Sequence, residues 1–214
     1  MLDRFTWFKQ SAFRFAGDGL VVYIDPWGVN ADDDPADLIL ITHAHFDHFQ
    51  PEDIAKISTA STELAAPHDV AAELSGDVTA VAPGEAYELA GVRFTTVPAY
   101  NVREERLDMH PRSNRWVGYV LDLGDSGYYH AGDTDHVPEL DAVKSDVAFV
   151  PIGGTFTMDP SEAAGLVRTI TPKIAVPMHY GFVVGSPSDA DRFRNEASPV
   201  KVETLSPVHP FEQT

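Results

Sequence analysis

Leu38-Ile39-Leu40-Ile41-Thr42-His43-Ala44-His45-Phe46-Asp47-His48 joins an apolar run to four ligand-type side chains. Four consecutive Leu and Ile residues suit a strand buried on both faces. The polar half then reads as the loop leaving that strand. Neutral imidazole and ionised carboxylate are good ligands for divalent metals. Set in the order HxHxDH on one short loop, they can reach two neighbouring ions.

Two more groups stand in the same kind of place. Asp133 lies in His130-Ala131-Gly132-Asp133-Thr134, after Tyr128-Tyr129. His179 lies in Pro177-Met178-His179-Tyr180-Gly181, after Ile174-Ala175-Val176. Sites in layered α/β proteins gather where strand ends meet loops. Taken singly, Asp133 reads equally well as a turn residue and His179 as a core histidine. Beside the first motif, both become candidate ligands.

Working outward, short runs rich in Val, Ile, Phe and Tyr alternate with turn signals. Strands are expected over 5–8, 12–15, 20–24, 38–42, 78–81, 92–97, 117–121, 128–131, 147–150 and 174–177. The clearest helix starts at Asp159, a capping residue, with Pro160 next and Glu162 three residues after the cap. Ala163, Leu166, Val167 and Ile170 then share one face. Weaker helices are expected over 52–58, 69–74 and 189–197. Strands run together early and alternate with helices later. That pattern permits two packed sheets with helices outside, an αββα sandwich of mixed α/β (α+β) class. Residues 1–214 show no linker or repeat and read as a single domain.

The 214 residues are 43% hydrophobic and 22% charged, the balance of a globular chain. There is no cysteine, which removes disulfides, thiolate ligands and cysteine nucleophiles. The net charge of −18 repels a polyanion, so no nucleic-acid partner is expected. No apolar run is long enough to span a bilayer, and residues 1–16 lack the apolar core of a signal peptide. A cytoplasmic protein acting on a small molecule, with no membrane association, is the expectation; a homo-oligomer is compatible with it.

The motifs together resemble the metallo-β-lactamase superfamily. Within it the chain is similar to small metal-dependent hydrolases related to the ascorbate-6-phosphate lactonases. The resemblance rests on TWFKQSAFRF, VVYIDPW, LILITHAHFDHF, VPAYN, WVGYVLDLG, YYHAGDTD, VPIGGTFTMDPSEA and IAVPMHYG, which spread over residues 6–181. It implies the four-layer αββα metallo-β-lactamase fold. It also implies that His43, His45, Asp47, His48, Asp133 and His179 hold two divalent ions, with Asp133 bridging. Zinc is the first expectation for those ions, with manganese or iron(II) as alternatives. The family places one more histidine ahead of the WVGYV segment, and His110 occupies that place; the other histidine in the interval, His68, is left to the surface. Asp25, at an early strand end, is expected to orient a ligand histidine. His130, Thr157 and Tyr180 are candidates for support or substrate contact.

The implied chemistry is hydrolysis by a hydroxide shared between the ions, with Asp47 and Asp133 as the catalytic carboxylates. The expected substrate is a small anionic ester or lactone. Arg103, Arg106, Arg112 and Arg115 around His110 point to the anion, although the same arginines can serve as surface ion-pair partners. A phosphodiesterase on the same fold is the alternative reading, and a non-catalytic metal- or partner-binding protein is the reading from another class. One departure stands out: many relatives carry Gly-His near the first strand, where this chain has Lys9-Gln10.

Overall fold

A computed structural model describes residues 1–212. Among the described residues, thirteen strands and four α-helices follow one another. The first half supplies β1 (Phe5–Trp7), β2 (Phe13–Gly17), β3 (Leu20–Ile24), β4 (Leu38–Leu40), α1 (Pro51–Ile57), β5 (Glu63–Pro67), α2 (His68–Glu73) and β6 (Thr79–Val81). The second half supplies β7 (Ala86–Leu89), β8 (Val92–Pro98), β9 (Val117–Asp122), β10 (Gly127–His130), β11 (Val147–Pro151), α3 (Pro160–Ile170), β12 (Ile174–Met178), α4 (Asp189–Glu196) and β13 (Lys201–Val202).

The strands form two sheets. One has six strands in the order β1-β2-β3-β4-β5-β6, and the other has seven in the order β13-β12-β11-β10-β9-β8-β7. Each sheet is antiparallel at one end and parallel at the other. Pairing is antiparallel through β1, β2 and β3 and parallel from β3 to β6. It is antiparallel from β7 to β10 and parallel from β10 to β13.

Side-chain alternation along β4 shows why the run is apolar on both faces. Leu38 and Leu40 enter the core between the sheets. Ile39 and Ile41 point the other way, into a cluster with Ile54 and Ile57 of α1 and Val70 of α2. Across the inter-sheet core, Phe13 and Phe149 meet at 4.7 Å and Phe5 and Tyr128 at 5.0 Å between ring centroids. On the far side of the second sheet, Ala163, Leu166, Val167 and Ile170 of α3 are buried on the expected face. The result is the expected αββα layering.

The Asp159 carboxylate caps α3 by accepting the Glu162 N–H at 2.9 Å. Glu162 does not return the capping bond. Its carboxylate is drawn to Arg103 at 3.0 Å and Arg106 at 2.9 Å, tying the helix to the loop after β8. Three strands went unread in the sequence: β5, β7 and β13. Among the described residues, no helix is long and apolar enough to cross a membrane.

Candidate metal centre

The loops that follow β3, β4, β8, β10 and β12 converge on one edge of the sandwich. They carry Asp25, the HxHxDH motif, His110, Asp133 and His179 respectively. Every one of the seven expected ligands is there. Ligand atoms of His43, His45 and His110 lie within 4.8 Å of one another, and so do those of Asp47, His48 and His179. A third group, His43, His48 and Asp133, overlaps both.

Asp133 is the centre of this arrangement. Its Oδ2 lies 3.3 Å from His110 Nε2, 3.9 Å from His43 Nε2 and 2.9 Å from His179 Nε2. Its Oδ1 lies 3.3 Å from His48 Nε2. Asp47 Oδ2 faces His179 Nε2 at 3.4 Å and His48 Nε2 at 3.6 Å. Gly132, at φ +63°, supplies the turn that swings Asp133 inward.

Backbone conformation marks the same place. Gln10 (φ 50°), Asp25 (φ 49°) and His179 (φ 57°) all sit in the left-handed region. Non-glycine residues there cost about 1 kcal/mol or more, and such strain collects at functional sites. Gly153 packs so closely that a Cβ there would overlap the His179 carbonyl oxygen.

Three of the five imidazoles, those of His48, His43 and His110, are held by the far nitrogen. His48 Nδ1 lies 2.7 Å from Asp25 Oδ2 and donates to it, so Nε2 presents its lone pair to the centre. Asp25 also accepts the Thr42 hydroxyl and backbone N–H, both at 2.7 Å. With its hydrogen committed to Asp25, the Thr42 oxygen accepts from His43 Nδ1 at 2.9 Å, which frees His43 Nε2 in turn. His110 Nδ1 donates to Asn101 Oδ1 at 2.8 Å. Asp25 thus lies between the Thr42 backbone and the far nitrogen of His48.

Charge is balanced inside the cluster. Burial opposes ionisation of Asp133, but the imidazoles of His179 and His48 outweigh it and hold the carboxyl well below the usual range. Asp47 is likewise brought down to about 2 against burial, by His48 and His179. Burial opposes the charged form of His179 too, yet Asp133 and Asp47 raise it to about 9. His48 is pushed well above its ordinary value by Asp133, Asp47 and Asp25 despite burial. His43 and His45 go the other way: burial first, then neighbouring imidazoles, keep them neutral, the form a metal needs.

The buried atoms His48 Nε2, His110 Nε2 and Asp133 Oδ1 have no hydrogen-bond partner. Buried polar groups rarely go without one. These atoms face a common centre made only of imidazole and carboxylate, a donor set that fits divalent metal once the imidazoles give up their protons.

The remaining candidates divide. His130 is buried against Phe13 and Phe149; its Nε2 donates to the Ser11 carbonyl at 3.0 Å and its Nδ1 accepts the Gly132 N–H at 3.3 Å. It braces the turn before Asp133. Tyr180 and Thr157 are buried and do not line the cleft over the centre. Tyr180 packs between Trp7 and Phe211, and Thr157 turns towards the Met158 carbonyl, so neither is placed for substrate contact. His68 is exposed at the start of α2.

Several residues of the site were not read as such. Gln10 is fully buried; its amide donates to Asp47 Oδ2 at 3.0 Å, and its carbonyl accepts the His179 N–H at 2.9 Å. The place of the relatives' histidine is thus filled by a neutral donor to a candidate ligand. Trp116 walls one side, 4.9 Å from His43 and 5.0 Å from His45 between ring centroids, with its indole N–H on Asp69. Asn101, Asp135 and Arg106 hold the His110 loop from below. Asn101 Nδ2 donates to Asp135 Oδ1 at 3.0 Å, and Arg106 Nε donates to the same oxygen at 2.6 Å.

Three of the four arginines of that loop have protein partners, and the fourth faces away from the centre. Arg106 is committed to Asp135, Glu162 and the Gly154 carbonyl. Arg103 pairs with Glu162, and Arg112 with Glu139. Arg115 lines a separate cleft beside Tyr100 and Pro98. None of the four lines the cleft over the centre, so the expected anion contact from these residues is not formed there.

Fold and donor set together define the metallo-β-lactamase class. The sequence pattern described as the beta-lactamase superfamily domain matches residues 4–179, so the chain belongs to that superfamily. Within it the chain falls in the UPF0173 family: the UPF0173 metal-dependent hydrolase of Methanopyrus kandleri is 32% identical, over 98% of this chain and 100% of its own length. A crystal structure of a proposed metal-dependent hydrolase from Parabacteroides distasonis is 30% identical, with a TM-score of 0.85 over 95% of this chain and 92% of its own. Igni18, a metallo hydrolase of Ignicoccus hospitalis, shares the fold at 24% identity and a TM-score of 0.76, covering 95% of this chain and 94% of its own.

Proposed function

We propose that this chain holds two divalent ions and hydrolyses an ester or lactone bond of a small molecule. The observation that carries the reading is Asp133, whose two oxygens stand between the two donor groups, 3.3 Å from His110 on one side and 3.3 Å from His48 on the other. His43, His45 and His110 would hold one ion, and Asp47, His48 and His179 the other, with Asp133 shared. Nitrogen and oxygen donors without thiolate suit zinc, manganese or iron(II). When bound, the pair of ions supplies water activated at neutral pH and polarises the scissile bond.

The chain's own groups do the rest. Asp25, Thr42 and Asn101 fix the imidazole tautomers. Asp133 offsets the positive charge gathered at the centre. Asp47 lines the cleft, and its Oδ2 is occupied by Gln10 and His179. Ionised at rest, its other oxygen can take up the proton that the attacking water releases and pass it to the leaving group.

Carbon–oxygen bonds are favoured over phosphodiesters by the cleft itself. No Lys or Arg lines it, so beyond the ions themselves no cationic side chain would steady the charge of a phosphodiester. The net charge of −18 further disfavours a polyanion. Metal-loaded protein should turn over members of an ester and lactone panel and leave bis-p-nitrophenyl phosphate nearly untouched. The reverse preference would replace this reading with a phosphodiesterase, and turnover of neither would favour a non-catalytic binding protein.

A further inference from the structure

A cleft of about 180 Å³ opens over the centre. Apart from the candidate ligands His45, Asp47, Asp133 and His179, its wall consists of Phe46, Met109, Phe156 and Val183. Of that wall, Phe46 and Met109 are exposed, while Phe156 and Val183 are half-buried. The exposed large hydrophobic residues are Phe46 (59%), Val102 (49%), Leu107 (44%), Met109 (42%) and Val208. Two of these five, Phe46 and Met109, line the cleft; Val102 and Leu107 share the His110 loop but lie outside the cleft wall. Scattered exposed apolar residues are ordinary, but a group gathered on the rim of a polar site marks a recognition surface.

The rim is held in place. Phe46 rests edge-on against Trp27 at 5.7 Å, and Trp27 is covered in turn by the Lys9 ammonium at 3.7 Å. Met109 directly precedes His110, whose loop is locked through Asn101, Asp135 and Arg106. Nearby cations are turned away: Lys9 pairs with Glu212, Arg103 and Arg106 with Glu162, and Arg112 with Glu139. A carboxylate or phosphate on the substrate would therefore find no cationic partner on the cleft wall.

From this we infer that the substrate is an uncharged ester or lactone whose acyl part is apolar and a few carbons long, seated against Phe46, Met109, Phe156 and Val183. The inference rests on the hydrolase reading above and narrows its substrate class. Pockets for drug-sized ligands are usually 300 Å³ or more, so a cleft of about 180 Å³ suits a short chain or a small ring. Burying each added methylene is worth about fourfold in affinity until the cleft is full.

Hydroxamates test the wall separately from the reaction, because they bind a metal centre without being hydrolysed. Calorimetry on the zinc-loaded protein would compare acetohydroxamate, hexanohydroxamate and succinate monohydroxamate. We expect hexanohydroxamate to bind at least tenfold more tightly than acetohydroxamate, and the succinate compound no more tightly than acetohydroxamate. In the Phe46→Ser/Met109→Ser double variant, with metal content verified, the gain should fall below threefold. Equal binding of all three, preference for the anionic compound, or a gain that survives the double variant would overturn the inference. In parallel, p-nitrophenyl acetate, butyrate and hexanoate should be cleaved with kcat/KM rising along the series. Retained hydroxamate selectivity without turnover of any ester or lactone would refute the reaction and leave the apolar recognition standing.

Discussion

His110 and Asp133 come from segments with no local relation in sequence, yet His110 Nε2 stops 3.3 Å from Asp133 Oδ2. Its Nδ1 is taken by Asn101, so the ring has one free lone pair and one direction to offer it. Replacing His110 by Ala should cost one ion selectively, because Asp47, His48 and His179 remain together. Metal analysis of His110→Ala should give about one equivalent with activity lost; two tight sites of unchanged affinity would return His110 to a substrate or surface role. Six candidate ligands were legible because each follows directly on an apolar strand. His110 was legible only by its place between VPAYN and WVGYV. Gln10 was legible only as a departure from relatives, not as a donor to Asp47, and Trp116 was not legible at all, since nothing in a lone tryptophan shows that the opposite half of the chain folds over it.

Ten strands could be read from runs of β-branched and aromatic residues, and the three that could not have physical reasons. β5 reads Glu-Leu-Ala-Ala-Pro, and its small buried Ala65 and Ala66 give no hydrophobic period. β7 and β13 are the edges of their sheet, half-exposed in one case and two residues long in the other. In sequence, the loop after β8 offers arginines for an anion or for surface ion pairs around His110. Instead it is anchored by Arg106, 5% exposed, on fully buried Asp135 and on Glu162 of α3. Removing one member of a buried pair strands the other and costs about 3 to 5 kcal/mol. Arg106→Leu should therefore lower the melting temperature by at least about 5 °C and weaken metal binding through His110. Arg103→Leu, at a side chain 48% exposed, should cost less than about 1 kcal/mol and leave metal affinity intact. Thermal denaturation and metal titration of the two variants side by side would check the contrast; equal effects would mean that the loop is not held from its buried side.

Across the whole molecule, two sheets meet so that loops from both halves pool their charges at one edge, in a chain whose net charge is −18. The protonation of that edge should be visible in stability. In metal-stripped protein, Asp133 and Asp47 raise His179 from 6.5 to about 9 against the pull of burial. A group raised on folding stabilises fully below its unfolded value, and that contribution is lost as pH rises through the folded one. The melting temperature of stripped protein should thus fall between about pH 6.5 and pH 9.5, whereas zinc-loaded protein, whose imidazoles bind metal in place of protons, should hold steady over the same window. A parallel fall in both forms would detach the effect from the centre. The most direct test of the account is a count of ions: protein stripped with chelator, titrated with zinc and dialysed, then measured by elemental analysis. Two equivalents per chain are expected in the wild type, with Asp133→Asn losing occupancy at both positions while keeping its fold. A wild-type value of one equivalent or less, or full occupancy in Asp133→Asn, would contradict a pair of ions shared through Asp133.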